Sequence, residues 1–168
     1  MRRLSRRSAL GTATAAALAP SVALAKSQSD ARDHQLLEEL VRLETESARI
    51  YAIGAREKTL SARLRELLGE MAKQEQAHVD ALNAALKRNP SKAGSRMKAP
   101  EGRAAVLRRA SAQEQRLLSA AESATRQLSK ASLAALVAST MANDAQHLAL
   151  LRLELGKDPL PSAFVPPR

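Results

Sequence analysis

The 168-residue chain has no cysteine, no tryptophan, one tyrosine (Tyr51) and one phenylalanine (Phe164). It can therefore form no disulfide and carry no cysteine-linked lipid anchor. The near absence of aromatic side chains removes the stacking platforms that single-stranded nucleic acid requires. Apolar runs fall short of the roughly 20 residues a helix needs to cross a bilayer. β-branched residues are sparse, and Ala, Leu, Glu, Arg, Lys and Gln dominate. Those are strong helix formers, so the composition implies an all-α protein.

The first 25 residues read as a cleaved leader. Met1 to Arg7 carries four arginines and no acid, a mild apolar stretch follows, and Ala23-Leu24-Ala25 has the small-residue pattern of a cleavage site, leaving Lys26 as the mature N-terminus. Ser5-Arg6-Arg7-Ser8-Ala9-Leu10 resembles the twin-arginine export motif, departing from it at Ala9 and Gly11. A general secretory signal that happens to contain Arg6 and Arg7 is the competing reading. Either route implies an exported protein, periplasmic or otherwise in the cell envelope. Removing the four arginines takes the net charge from +10 to +6. Such a surface favours weak association with anionic envelope polymers.

The remainder is long enough for one domain with a real core. Apolar periodicity marks four helices, over about 31–56, 62–88, 101–128 and 131–155. Ser29-Asp30 offers the first N-cap, Glu57 to Ser61 is a weak break, and Asn89-Pro90 ends the second helix. A polar linker, 91–100, follows, basic through Lys87, Arg88, Lys92, Arg96, Lys98 and Arg103. It could cross the bundle or loop at one end. Gly156 suits the C-terminal cap of the fourth helix. Residues 159–168, with four prolines, read as an extended arm on the bundle.

Alternating spacings of three and four define one buried seam per helix. These are Leu37, Leu40, Glu44, Ser47 and Tyr51; Leu64, Leu68, Met71, Glu75, His78, Leu82 and Ala85; Leu107, Ala110, Glu114, Leu117, Ala121, Ala124 and Leu128; and Leu133, Val137, Thr140, Asp144, His147 and Leu151. Four carboxylates and two imidazoles thus occupy positions that should be apolar. Unpaired buried charge costs several kcal/mol or shifts its pKa until neutral, and a shared cation is an economical compensation. Mutual hydrogen bonding among the same groups is the alternative. The levels also agree. The midpoint of Glu44 and Glu75 falls in the first break, and that of Glu114 and Asp144 falls at Ser129, in the last. Glu75 to Arg88 and Glu114 to Glu101 are equal separations, so antiparallel pairing brings all four acids to one slab. Glu122 falls off the seam, and His34 lies in the first turn, far from the slab.

Glu44 with Tyr51 (E-x6-Y), Glu75 with His78 (E-x-x-H), Glu114, and Asp144 with His147 (D-x-x-H) resemble the ferritin-like di-metal carboxylate bundles, rubrerythrin-type members included. The resemblance covers Ala31 to Phe164 and extends to exported, twin-arginine-leader bacterial ferritin-like proteins. It implies a ferritin-like four-helix bundle with a long crossover between helices two and three. It further implies two metal ions, iron first, with manganese or zinc as competitors. Glu44 and Glu114 would be terminal ligands, Glu75 and Asp144 bridging ones, and His78 and His147 would cap the two ions. Tyr51 would be a hydrogen-bond donor behind the ligands, a redox-active phenol, or plain core packing. Fe(II) oxidation or peroxide handling would follow. The competing class is a non-enzymatic helical envelope protein on the same scaffold without metal chemistry. Asp144, one methylene shorter than Glu, is where the ligand set departs from the pattern, and Ala121 stands where helix three would repeat a tyrosine. Expected partners are metal ions, the twin-arginine export machinery and a second copy in a homodimer; nucleic acid is not expected.

Overall fold

The computed structural model describes residues 19–88 and 102–160, with side chains from Lys26 onward. They form four helices: α1 (Ala19–Gly54), α2 (Ala62–Ala85), α3 (Arg103–Gln127) and α4 (Ala131–Glu154). No strand occurs among the described residues, and none of these helices is long and apolar enough to cross a membrane.

Two apolar clusters show how the helices run. One gathers Ile50, Tyr51, Leu64, Leu68, Val106, Leu107 and Leu151. The other gathers Leu37, Leu40, Leu82, Leu86, Leu117, Ala124 and Val137. α1 and α4 therefore run one way, α2 and α3 the other. α2 leaves the bundle at the end opposite to where α3 enters it, so the connection between them joins opposite ends. This is the long-crossover topology. α1 packs against α2 and α3, α3 packs against α4, and α2 meets α4 only sparsely.

Most positions of the seams inferred from sequence are buried, with Ala85, Leu128 and Leu133 half-buried. Leu37, Leu40, Leu64, Leu68, Leu82, Leu107, Leu117, Val137 and Leu151 are all nearly inaccessible. Burying one such side chain contributes about 1.5–3 kcal/mol. Gly54 closes α1 where α2 and α3 cross. A Cβ there would lie 2.7 Å from Leu68 Cδ1 and 2.9 Å from Val106 Cγ1, so any side chain in place of glycine would force these two to shift. At the other end buried Asp33 accepts hydrogen bonds from Ser129 N and Oγ, both 2.8 Å, tying the α3–α4 turn to α1.

Helix boundaries depart from the sequence reading in three places. α1 is already helical at Ala19, well before Ala31, and runs on through Ala23-Leu24-Ala25. Ser29 and Asp30 do not cap it: the Ser29 hydroxyl donates to Lys26 O, and Asp30 pairs with Lys130. α2 stops at Ala85, with Lys87 in the left-handed region (φ 54°) and Arg88 N donating to Asn83 O. α3 opens at Arg103 after Gly102 (φ 81°). In the first turn connecting helices, Glu57 accepts from Thr59 N and Oγ, and Ser61 caps α2 by accepting from Leu64 N. Gly156 (φ 69°) follows α4 as expected. Glu101, the basic linker 91–100, the twin arginines Arg6 and Arg7, and most of the Pro-rich arm (161–168) lie outside the described residues.

Candidate metal centre

The antiparallel pairing brings Glu44 from α1, Glu75 and His78 from α2, Glu114 from α3, and Asp144 and His147 from α4 to one level of the bundle. Glu44, Glu75, Glu114 and Asp144 are each exposed by 1% or less. His147 is buried too, and His78 keeps 14% of its side chain accessible. The six residues form two overlapping sets. Glu44, Glu75, His78 and Asp144 offer ligand atoms all within 4.8 Å of one another, and so do Glu75, Glu114, Asp144 and His147. Glu75 and Asp144 belong to both. Asp144 therefore reaches both sets despite its shorter side chain.

Internal contacts satisfy only part of this cluster. His147 Nδ1 lies 2.7 Å from Glu75 Oε1. His78 Nδ1 lies 3.3 Å from Glu44 Oε2 and 3.3 Å from Asp144 Oδ1, with hydrogen-bond geometry toward Glu44 alone. Tyr51 Oη donates to Glu114 Oε1 at 2.7 Å, and the Tyr51 ring meets the His147 ring edge-on at 5.7 Å between centroids. Glu75 Oε2, Glu114 Oε2 and both Asp144 carboxylate oxygens have no hydrogen-bond donor.

Electrostatics follow from the burial. Desolvation and the surrounding carboxyls of Glu44, Glu114 and Asp144 push the Glu75 carboxyl far above the carboxylate range. Glu114 is raised to about 8, first by burial and then by the charges of Asp144 and Glu44, although the Tyr51 and Ser47 hydroxyls pull it down. Asp144 is raised to about 6 by burial, with His78 opposing. Burial pulls His78 down, but Asp144 and Glu44 more than offset it and bring it up to about 9. Burial and the charge of His78 lower His147 to about 4. The Tyr51 phenol is held neutral, its pKa raised by burial and by Glu114. At neutral pH the centre thus keeps protons on Glu75 and Glu114, a cation at His78, and a neutral imidazole at His147. One proton shared between Glu75 Oε1 and Nδ1 of His147 makes their short contact favourable.

The residues present fit divalent cations. Four buried carboxylate oxygens lack a donor, ligand atoms of the six residues lie within reach of one another in two sets, and carboxylate with imidazole is the donor set that first-row metals take. The other sequence candidates stand apart. Glu122 is exposed on α3 and pairs with Arg126, and His34 is half exposed beside Glu38.

Sequence reasoning missed two glutamines. Gln113 Nε2 donates to Leu43 O at 3.0 Å, fastening α3 to α1 beside Glu44. Gln74 Oε1 lies 2.7 Å from His147 Nε2, fastening α2 to α4. Each glutamine immediately precedes a ligand candidate, in Gln113-Glu114 and Gln74-Glu75. That repeated dipeptide was the available signal.

A family model described as a ferritin-like domain matches residues 32–157, which spans all four helices and all six cluster residues. The chain belongs to the ferritin-like domain family. No curated protein and no solved structure matches it significantly. The ferritin-like assignment agrees with the two independent structural features above, the crossover topology and the carboxylate–histidine slab between antiparallel helix pairs.

Proposed function

We propose that this ferritin-like protein is exported and binds two metal ions, iron or manganese, in the slab, and that it handles Fe(II) or peroxide outside the cytoplasm. The observation that carries the reading is the sharing of Glu75 and Asp144 by two otherwise separate ligand sets. Two positive charges a few ångströms apart repel strongly, and carboxylates common to both offset that repulsion. Glu44 with His78 would complete one ion's set, and Glu114 with His147 the other's. Zinc competes for the same donors but brings no redox chemistry.

Bound iron would supply one-electron steps, two Fe(II) becoming two Fe(III) while one hydrogen peroxide takes two electrons and two protons and leaves as two waters. The chain's own residues would release protons as ligands, exclude bulk water and keep the neutral Tyr51 phenol donating to Glu114 Oε1. Export rests on the leader pattern of Arg6-Arg7 and Ala23-Leu24-Ala25. Cleavage after Ala25 would shorten α1 to begin at Lys26 and leave the whole slab in place.

The test is elemental analysis of the mature protein after reconstitution, with Fe(II) oxidation followed spectroscopically. Near two equivalents of iron or manganese, lost in Glu75→Ala/His78→Ala, are expected. No uptake by the wild type would overturn metal binding and leave a non-enzymatic helical scaffold. Uptake without oxidation above the buffer blank would remove the ferroxidase role alone. Sequencing the N-terminus of the secreted protein checks export, and an intact Met1 leader in a cytoplasmic fraction would reject it.

A further inference from the structure

The α2–α4 seam is the sparsest of the bundle's four sides, and His147 sits across it. Both nitrogens of its ring are taken by consecutive residues of α2: Nδ1 by Glu75 at 2.7 Å and Nε2 by Gln74 at 2.7 Å. Consecutive residues on a helix point about 100° apart. Glu75 therefore faces the bundle axis, fully buried, while Gln74 lies at the exposed rim. The two side chains grip the imidazole from inside and outside.

A neutral imidazole has one N–H and one lone pair, and the partner of one nitrogen dictates the state of the other. Gln74 presents its carbonyl oxygen, an acceptor, to Nε2. The ring must then carry its proton on Nε2, which leaves the Nδ1 lone pair turned inward beside Glu75, Glu114 and Asp144. Were the amide nitrogen of Gln74 against Nε2, the proton would sit on Nδ1 and the inward lone pair would be lost.

We propose that Gln74 is a positioning residue of the centre: its side-chain oxygen locks His147 in the Nε2–H tautomer and fixes the ring angle that aims Nδ1 at the slab. Gln74 does not itself touch the space the ligands enclose. It acts through His147, as the outer hydrogen-bond partners of metal-bound histidines do. The consequence for metal affinity rests on the metal-binding reading given above, whereas the tautomer can be observed without metal.

The test uses the full mature protein and two near-isosteric variants. Gln74→Met removes the acceptor and keeps helix propensity, and Gln74→Glu keeps an acceptor. Long-range proton–nitrogen spectra of metal-free protein, with the His147 signal assigned by its loss in His147→Gln, report the tautomer. Wild type and Gln74→Glu are expected to show Nε2–H, and Gln74→Met a mixture or Nδ1–H. Titration with Co(II), followed by its visible ligand-field bands, should then show affinity about 10–100-fold weaker in Gln74→Met, restored in Gln74→Glu. An Nδ1–H tautomer in the wild type overturns the proposal, and so does a Gln74→Met protein with unchanged tautomer and unchanged Co(II) spectrum. If the wild type takes up no metal, the di-metal reading falls while the spectra still decide the role of Gln74.

Discussion

Tyr51 of α1 donates its phenolic proton to Glu114 of α3 at 2.7 Å, with both side chains almost wholly buried. The other oxygen of the same carboxyl, Oε2, has no donor. Tyr51→Phe keeps the ring packing and removes only that proton. The variant should lose about 1–3 kcal/mol, the cost of leaving a buried polar group unpaired, read as a lower urea midpoint with unchanged m-value in metal-free protein. A midpoint equal to wild type would show that the phenol contributes packing alone.

The sharing of two carboxylates predicts an asymmetric pattern of metal loss. Variants of residues in a single set, His78→Ala or Glu44→Ala on one side and Glu114→Ala or His147→Ala on the other, should retain about one of two equivalents. Glu75→Ala and Asp144→Ala should retain close to none, because each removes a ligand from both sets. Metal-to-protein ratios after gel filtration measure this. Equal losses in all six variants would point to one ion rather than two.

Protons held by the cluster make the metal-free fold sensitive to alkali. His78 is raised from 6.5 to about 9, so its contribution is full below pH 6.5 and is lost as pH rises through 9. The Glu114 carboxyl is raised from 4.5 to about 8, so the unfolded chain releases that proton first and stability falls as pH climbs from 4.5 to 8. Asp144, raised to about 6, acts in the same sense at lower pH. His147 acts oppositely: it is lowered from 6.5 to about 4, and its contribution is lost as pH falls through that window. Between pH 6.5 and 8 the effects of His78 and Glu114 therefore act together, and from 8 to 9 His78 acts alone, each worth up to about 1.4 kcal/mol per pH unit where its proton is released only on unfolding. Urea midpoints should fall across that range. Metal binding should flatten the profile and release protons, which calorimetry in buffers of different ionisation enthalpy would count.

Gly54 provides a stability test remote from the slab. Gly54→Ala places a methyl against Leu68 and Val106 at distances below normal contact. Overpacking of this kind costs about 1–3 kcal/mol, more than the helix propensity that alanine adds back. Differential scanning calorimetry should show a lower Tm. A higher one would mean that the α1–α2–α3 crossing has room to relax.

Much of the centre was legible because a buried carboxylate on an apolar stripe is an anomaly that periodicity exposes. Glu44, Glu75, Glu114 and Asp144 interrupt four such stripes, and their equal distances from the turns place them at one height for any antiparallel pairing. Gln74 was not legible in that way. It is an exposed polar residue at an exposed position, and nothing in a one-dimensional pattern says which histidine lies across the seam. The start of α1 was misread for a related reason. Ser29-Asp30 has cap-forming side chains, but Asp30 is drawn to Lys130 of the α3–α4 turn and the helix continues through it.

Sequence by itself determined the number of helices, their buried faces and the level of the acids, because helix periodicity and chain length are local properties. The tertiary structure decided which helices are neighbours. It set α2 beside α4, so that Glu75 and Gln74 share His147, and α1 beside α3, so that Tyr51 reaches Glu114. A helix's periodicity states which face is apolar and is silent on which other helix will cover it; that choice depends on how whole surfaces interlock and on the path of the connection from α2 to α3.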